Sequence, residues 1–133
     1  MENYEVIIEL LQNKNWKALK EILDEMNEQD IAEIFMELEE RELTLIYRLL
    51  NKELAAEVFV NMEPEYQEQL IRAFSDTELR EVLDELYLDD TVDIIEEMPQ
   101  EIVRRIAESE EILKLLEERN FSLLKPLLSS LNA

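Results

Sequence analysis

Asp89 and Asp93 stand four residues apart in the segment Leu88-Asp89-Asp90-Thr91-Val92-Asp93. In a helix, that spacing puts both carboxylates on one face. Like charges so placed repel by roughly 0.2–0.5 kcal/mol, and a divalent cation removes the penalty. Magnesium suits such a pair: it takes oxygen ligands, keeps several of its waters and is commonly held by one or two carboxylates. A plainer reading stands beside this one. Asp89 and Asp90 fall where a helix should begin, and a carboxylate there caps free N–H groups and meets the positive end of the helix dipole. The two roles are compatible, with Asp90 capping while Asp89 and Asp93 face outward. The spacing offers no EF-hand loop, which needs alternating ligands and a glycine.

Most other chemistry is excluded by what the chain lacks. It has no Cys and no His, which removes thiol chemistry, zinc sites and the usual general base. It has no Gly, so phosphate-cradling glycine loops are impossible. Paired carboxylates also occur in glycosidases, but short helices offer no deep cleft, and no stacking aromatics stand out. The reading is therefore of a protein that is not an enzyme. Glu57, after Ala55-Ala56, holds the repeat position that Glu33, Glu81 and Asp93 also hold. On spacing alone it is a solvated flank.

These acids must be placed by helices. Two adjacent apolar residues followed three positions on by a third recur at a constant interval of twelve: Ile22-Leu23-Met26, Ile34-Phe35-Leu38, Ile46-Tyr47-Leu50, Val58-Phe59-Met62, Leu70-Ile71-Phe74, Val82-Leu83-Leu86 and Ile94-Ile95-Met98. Leu19, Ile31, Leu43, Ala55 and Leu79 extend several of these into an amphipathic stripe. One such interval holds about two and a half helical turns and a short connection. A fixed period of this kind predicts an all-α helical solenoid, an architecture that presents surfaces. The expected helices are 2–13, 16–26, 30–38, 40–50, 52–62, 64–74, 76–86, 89–98, 99–108, 109–119 and 121–131.

Asp30 with Glu33, and Ser75 with Glu78, read as capping boxes. Asn15 reads as a cap, and Pro64 and Pro99 suit first turns. Asn13, Asn27, Asn51 and Asn120 stand where helices should stop, in place of glycine. After Met98 the period slips, to Ile102-Val103-Ile106, then Ile112-Leu113-Leu116 and Leu127-Leu128-Leu131. Trp16 and the methionines Met26, Met36, Met62 and Met98 read as packing residues.

At 133 residues with 47% hydrophobic content, the chain reads as one domain, 1–133, with enough apolar surface for a core. Its formal net charge of -21 argues against nucleic acid and anionic membrane, which need basic surface, and favours cations or a basic protein face. No apolar run approaches the roughly 20 residues that span a bilayer, and residues 1–14 carry no cleavable signal pattern. The chain is expected to be cytosolic. Residues 76–97 hold ten acids and one base, Arg80, whereas residues 101–133 hold six acids and five bases. Lys114, Arg119 and Lys125 read as solvated helix charges.

Three segments carry a resemblance: WKALKEILDEMNEQDIAEIFMEL from Trp16, KELAAEVFVNMEPEYQEQLIRAF from Lys52, and LREVLDELYLDDTVDIIEEMP from Leu79. They resemble the N-terminal cytosolic domain of MgtE-type magnesium transporters over nearly the whole chain. The resemblance implies a right-handed, armadillo-like superhelix. It implies CBS domains and a five-helix transmembrane pore elsewhere in the transporter, absent from this chain, and a homodimeric full-length protein. It places the domain on the cytoplasmic side of the membrane. It also implies that magnesium, held between this domain and the CBS domains, favours a closed pore. The family's magnesium-facing acids carry over to Glu57, Asp89 and Asp93, and Asp90 matches a further acid of that motif. With half of each site supplied by the CBS domains, this domain alone should bind Mg2+ weakly. The competing expectation is a stand-alone acidic scaffold that binds a basic protein, with no metal role.

Overall fold

A computed structural model describes residues 2–121 and 124–131. Among these, the chain forms eleven helices and no strand. They are α1 (Glu2–Gln12), α2 (Trp16–Glu25), α3 (Glu28–Phe35), α4 (Glu40–Tyr47), α5 (Lys52–Asn61), α6 (Pro64–Ala73), α7 (Asp76–Asp84), α8 (Leu88–Glu96), α9 (Gln100–Glu108), α10 (Glu110–Glu118) and α11 (Leu124–Leu131). From α2 to α9 the helix starts keep the same interval of twelve: Trp16, Glu28, Glu40, Lys52, Pro64, Asp76, Leu88 and Gln100.

The period survives without glycine because most corners use extended backbone, which any L-residue adopts. Met26-Asn27, Met62-Glu63 and Phe74-Ser75 each join two helices through two consecutive extended residues. The apolar member plugs the core and the polar member begins the next helix. Asn15, Asn27, Asn51, Ser75 and Ser109 accept a backbone N–H at their helix starts. Asn27 and Asn51 therefore open helices where stops were expected. Asn27, bonded to the Asp30 N–H at 2.8 Å, replaces the expected Asp30–Glu33 box, and α3 starts two residues earlier than read. The Ser75–Glu78 box forms as expected. Pro64 opens α6, while Pro99 sits one residue before α9.

Only two described residues take positive φ, Lys14 at 55° and Asn120 at 60°. Both close a helix with the paired bonds of a Schellman turn. Lys14 N–H and Asn15 N–H donate to Leu11 and Leu10; Asn120 N–H and Phe121 N–H donate to Glu117 and Leu116. Asn120 is a stop as read, whereas at Asn13 the left-handed position falls one residue later.

The chain divides into two units, residues 1–62 and 63–133. In the first, α1 packs on α2 and α3 on α5. Phe35, Tyr47 and Phe59 hold the same place in successive repeats. Phe35 meets Tyr47 edge to face at a centroid distance of 6.3 Å, and Tyr47 meets Phe59 in the same way at 6.4 Å, an arrangement that aromatic quadrupoles favour. Tyr47 is buried, its hydroxyl donates to the Ala55 carbonyl at 2.8 Å, and burial pushes its pKa up. In the second unit, α7 packs on α10, and α9 packs against α6, α10 and α11.

The seven apolar triplets are buried except for Ile22 and Met26, which are partly exposed. Two expected packing residues lie at the surface: Trp16 at 40% exposure and Met36 at 39%. Both sit at helix ends, Trp16 at the start of α2 and Met36 just past the end of α3. The slip after Met98 proves to be internal to α9. That helix starts on time at Gln100, but Ile102, Val103 and Ile106 carry the buried face one turn nearer its N-terminus. The helix spacing itself shortens only at α10, where Ser109 alone ends one helix and caps the next. In α10 the buried set is Ile112, Leu115 and Leu116, with Leu113 half-exposed. Leu128 is buried and Leu127 half-exposed; the Leu131 side chain and residues 122–123 lie outside the described residues.

Candidate metal-responsive face

Helix α8 is fixed by its inner side. Thr91 is fully buried, and its hydroxyl and N–H both donate to the Tyr87 carbonyl, at 3.1 and 3.0 Å. Ile94 and Ile95 bury the same side. The outer side then follows from helical periodicity: Asp89, Asp93 and Glu96 stand at i, i+4 and i+7 and are all exposed. Asp90, half-exposed, flanks them. Glu96 belongs to this stripe as surely as the aspartates. Its signal in the sequence is the same i, i+3/i+4 spacing, carried one step beyond Asp93.

Asp89 and Asp90 lie in the first turn of α8, as read. Side-chain capping by Asp90 is not what the structure has. The N-cap is Tyr87, which contributes no side-chain bond. Asp89 and Asp90 therefore meet the helix dipole as unbonded charges in the first turn.

The neighbouring α7 differs. Three of its four acids are engaged: Asp76 with Arg105 at 3.0 Å, Asp84 with Arg119 at 3.5 Å, and Glu78 in the capping box, while Glu81 is exposed. Arg80, the one base in the acidic run, faces Glu111 of α10 at 3.4 Å. Arg105 does more. It donates to the Ile71 carbonyl at 2.5 Å and the Phe74 carbonyl at 2.6 Å, closing the end of α6, and binds Asp76 at the start of α7. Arg119 similarly reaches the carbonyls of Asp84 and, at 2.9 Å, Leu86. Arg119 is thus a structural residue, in contrast to the solvated charge expected. Lys125 pairs with Glu117 at 2.6 Å. No cation among the described residues pairs with Asp89, Asp90, Asp93, Glu96 or Glu97.

Glu57 belongs to the first unit, on α5, whose Ala56, Val58 and Phe59 turn inward. Its carboxylate is exposed and has no ion pair among the described residues, while its carbonyl accepts from Asn61 at 2.8 Å. No three His, Cys, Asp or Glu residues converge to hold a metal ion among the described residues. The donor set is all carboxylate oxygen, suited to Mg2+, and arrayed along a surface where a hydrated ion can approach. It fits a shared or water-mediated contact and lacks the geometry of a closed cage.

An open groove of about 350 Å³ in the second unit is lined by Asp76, Glu101, Arg104, Arg105, Glu108 and Ser109. Three of its five charged residues are ion-paired. Arg105 holds Asp76, and Arg72 holds Glu101, whose carboxyl that guanidinium keeps below the usual carboxylate range.

Fold and face together define a class: an all-helical repeat domain with an acidic surface, including the unpaired stripe of α8. Residues 26–129 match the family model described as the MgtE intracellular N domain, and the chain belongs to that family. This is the N-terminal domain of magnesium transporters, proteins with a membrane pore domain, and it is not an enzyme family. No curated protein matches the chain. No helix among the described residues is long and apolar enough to cross a membrane.

Proposed function

We propose that this domain is the cytosolic regulatory arm of a magnesium transporter. It senses intracellular Mg2+ through Glu57 of the first unit and Asp89, Asp90 and Asp93 of the second, acids that meet the CBS domains of the same protein, and it favours pore closure when Mg2+ is high. The observation that carries this reading is the set of α8 carboxylates left without cationic partners among the described residues, in a chain that pairs Asp76 and Asp84 of α7. A second acidic module approaching that face meets repulsion from a domain of net charge -21. Divalent ions between the two relieve it. Their differential affinity for the docked state shifts the population, by about 1.4 kcal/mol at ten times the dissociation constant. Because Mg2+ sheds water reluctantly, such contacts are weak, as the sensing of an abundant ion requires.

The test is a titration of the 15N-labelled chain with MgCl2 against NaCl at matched ionic strength. Shifts confined to Glu57, Asp89 and Asp93 and their neighbours support the reading. Diffuse shifts identical in both salts favour the second reading, an acidic scaffold for a basic protein partner. One observation speaks for that alternative: the Tyr87 ring, on a residue 79% exposed, stands beside the α8 acids and makes no cap bond.

A further inference from the structure

The geometry points to Arg119 as the residue that positions the acid-bearing helix α8. Helix α7 ends at Asp84 and α8 begins at Leu88, so three residues make the turn between them, none of them glycine. Glu85 is in the helical region and Tyr87 is extended. The guanidinium of Arg119 donates to the Asp84 carbonyl at the start of that turn and to the Leu86 carbonyl at 2.9 Å near its end, and it pairs with the Asp84 carboxylate at 3.5 Å. A planar fork that spans two carbonyls fixes their relative direction, which a point charge on a flexible stem does not. The next carbonyl along, that of Tyr87, receives both the hydroxyl and the N–H of Thr91. The direction of α8, and with it the face carrying Asp89 and Asp93, is therefore set through this turn.

Arg119 is itself held. It ends α10, and Asn120 follows in the left-handed region. That reversal brings the buried Phe121 ring under the guanidinium, 4.8 Å from ring centroid to Cζ, where the ring face attracts the cation. The route is thus Asn120 to Phe121 to Arg119 to the 84–86 carbonyls to α8. The link from this turn to magnesium rests on the reading of α8 as the responsive face. The positioning itself does not.

Two measurements on the full labelled chain separate these. Without Mg2+, exchange of the Thr91 amide, bonded to the turn at 3.0 Å, reports the turn directly. In Arg119→Ala it is expected to speed up about tenfold. Arg119→Lys, which retains charge but no fork, should fall between, as should Phe121→Leu, which keeps the guanidinium and removes the ring. With MgCl2, the apparent affinity read at Asp89 and Asp93 should weaken about threefold or more in Arg119→Ala, while that at Glu57 is unchanged. Wild-type exchange at Thr91 in Arg119→Ala overturns the assignment. If that variant fails to fold, wild-type exchange in both Arg119→Lys and Phe121→Leu overturns it. If the unsubstituted chain gives no local response to Mg2+, the sensing reading fails, and the Thr91 amide still decides on Arg119.

Discussion

Asp93 is the electrostatic centre of α8, and replacing it should stabilise the chain without magnesium and lose most of that advantage with it. Along the helix it has Asp89 at i−4, Asp90 at i−3, Glu96 at i+3 and Glu97 at i+4, and no cation among the described residues pairs with any of them. Each like-charged neighbour costs roughly 0.2–0.5 kcal/mol. Four of them, partly screened, amount to about 1 kcal/mol at low ionic strength. Asp93 lies beyond the first turn, so Asp93→Asn forfeits little helix-dipole energy. The variant should be more stable than the unsubstituted chain in low salt by about 1 kcal/mol, a rise in urea midpoint of about 0.5 M. Asp89→Asn is the control. It relieves less repulsion and loses a favourable first-turn charge worth roughly 0.3–1 kcal/mol, leaving a change near zero. MgCl2 at ten times its dissociation constant then adds about 1.4 kcal/mol to the unsubstituted chain and less than half of that to Asp93→Asn. Urea unfolding followed by circular dichroism, with NaCl replacing MgCl2 at equal ionic strength, reads both effects. A variant less stable than its parent in low salt would refute the repulsion argument. An equal response of the two chains to MgCl2 would remove Asp93 from the ion's reach.

Arg105→Ala strips the donors from the Ile71 and Phe74 carbonyls and the partner from Asp76; because the site is half-buried, the loss should be about 2–3 kcal/mol, and a change under about 0.5 kcal/mol in urea unfolding would contradict the clamp. Lys14 holds φ at 55°, at a cost of about 1 kcal/mol for a residue with a Cβ. Lys14→Gly should therefore raise the thermal midpoint while Lys14→Ala leaves it nearly unchanged, and equal behaviour of the two would show that charge loss is responsible. Glu101 has its pKa lowered from 4.5, first by the hydrogen bond from Arg72 and then by its charge. A carboxyl lowered in the folded state contributes stability above its unfolded pKa and loses it as pH falls through the folded value. The loss from this pair should thus set in below about pH 4.5, and an NMR titration of Glu101 should move upward in Arg72→Gln.

Much of this fold was legible because its period is written in bulky side chains. A doublet such as Phe35, Tyr47 or Phe59 with its preceding neighbour marks the inner side of every helix, and the constant interval between doublets returns the helix starts almost residue by residue. Where the reading departs from the structure, the cause is local. In α9 the apolar set moved four residues while the helix start did not. Four residues are close to one turn, so the face is conserved and only its height changes. The doublet spacing alone cannot distinguish that from a shortened repeat. The shift has a consequence at Arg105. It occupies the register of Glu57 and Asp93, five residues after a helix start, yet it turns inward to close α6, because in α9 the buried face has come down to meet it.

The charge pattern was legible as a run and illegible as a partition. Sequence shows ten acids between residues 76 and 97; it does not show which are spent. The partners of Arg105 and Arg119 include backbone carbonyls 31–35 residues away, and carbonyls carry no sequence signature. What distributes the bases is packing. Helix α7 lies on α10 and near the end of α9, so the bases of those helices fall on the acids and ends of α6 and α7. In α11, Lys125 is taken by Glu117; Arg104 of α9 and Lys114 of α10 pair with no acid among the described residues. Of the bases that follow α8, namely Arg104, Arg105, Lys114, Arg119 and Lys125, none pairs with it among the described residues. Asp89, Asp90, Asp93, Glu96 and Glu97, with Glu81 of α7, are left without a cationic partner among the described residues. A uniform acidic coat would respond to any added salt alike. An acidic helix beside a partly neutralised one strengthens the response on its own exposed face, and that asymmetry is the physical ground for assigning it to an ion or a docking partner.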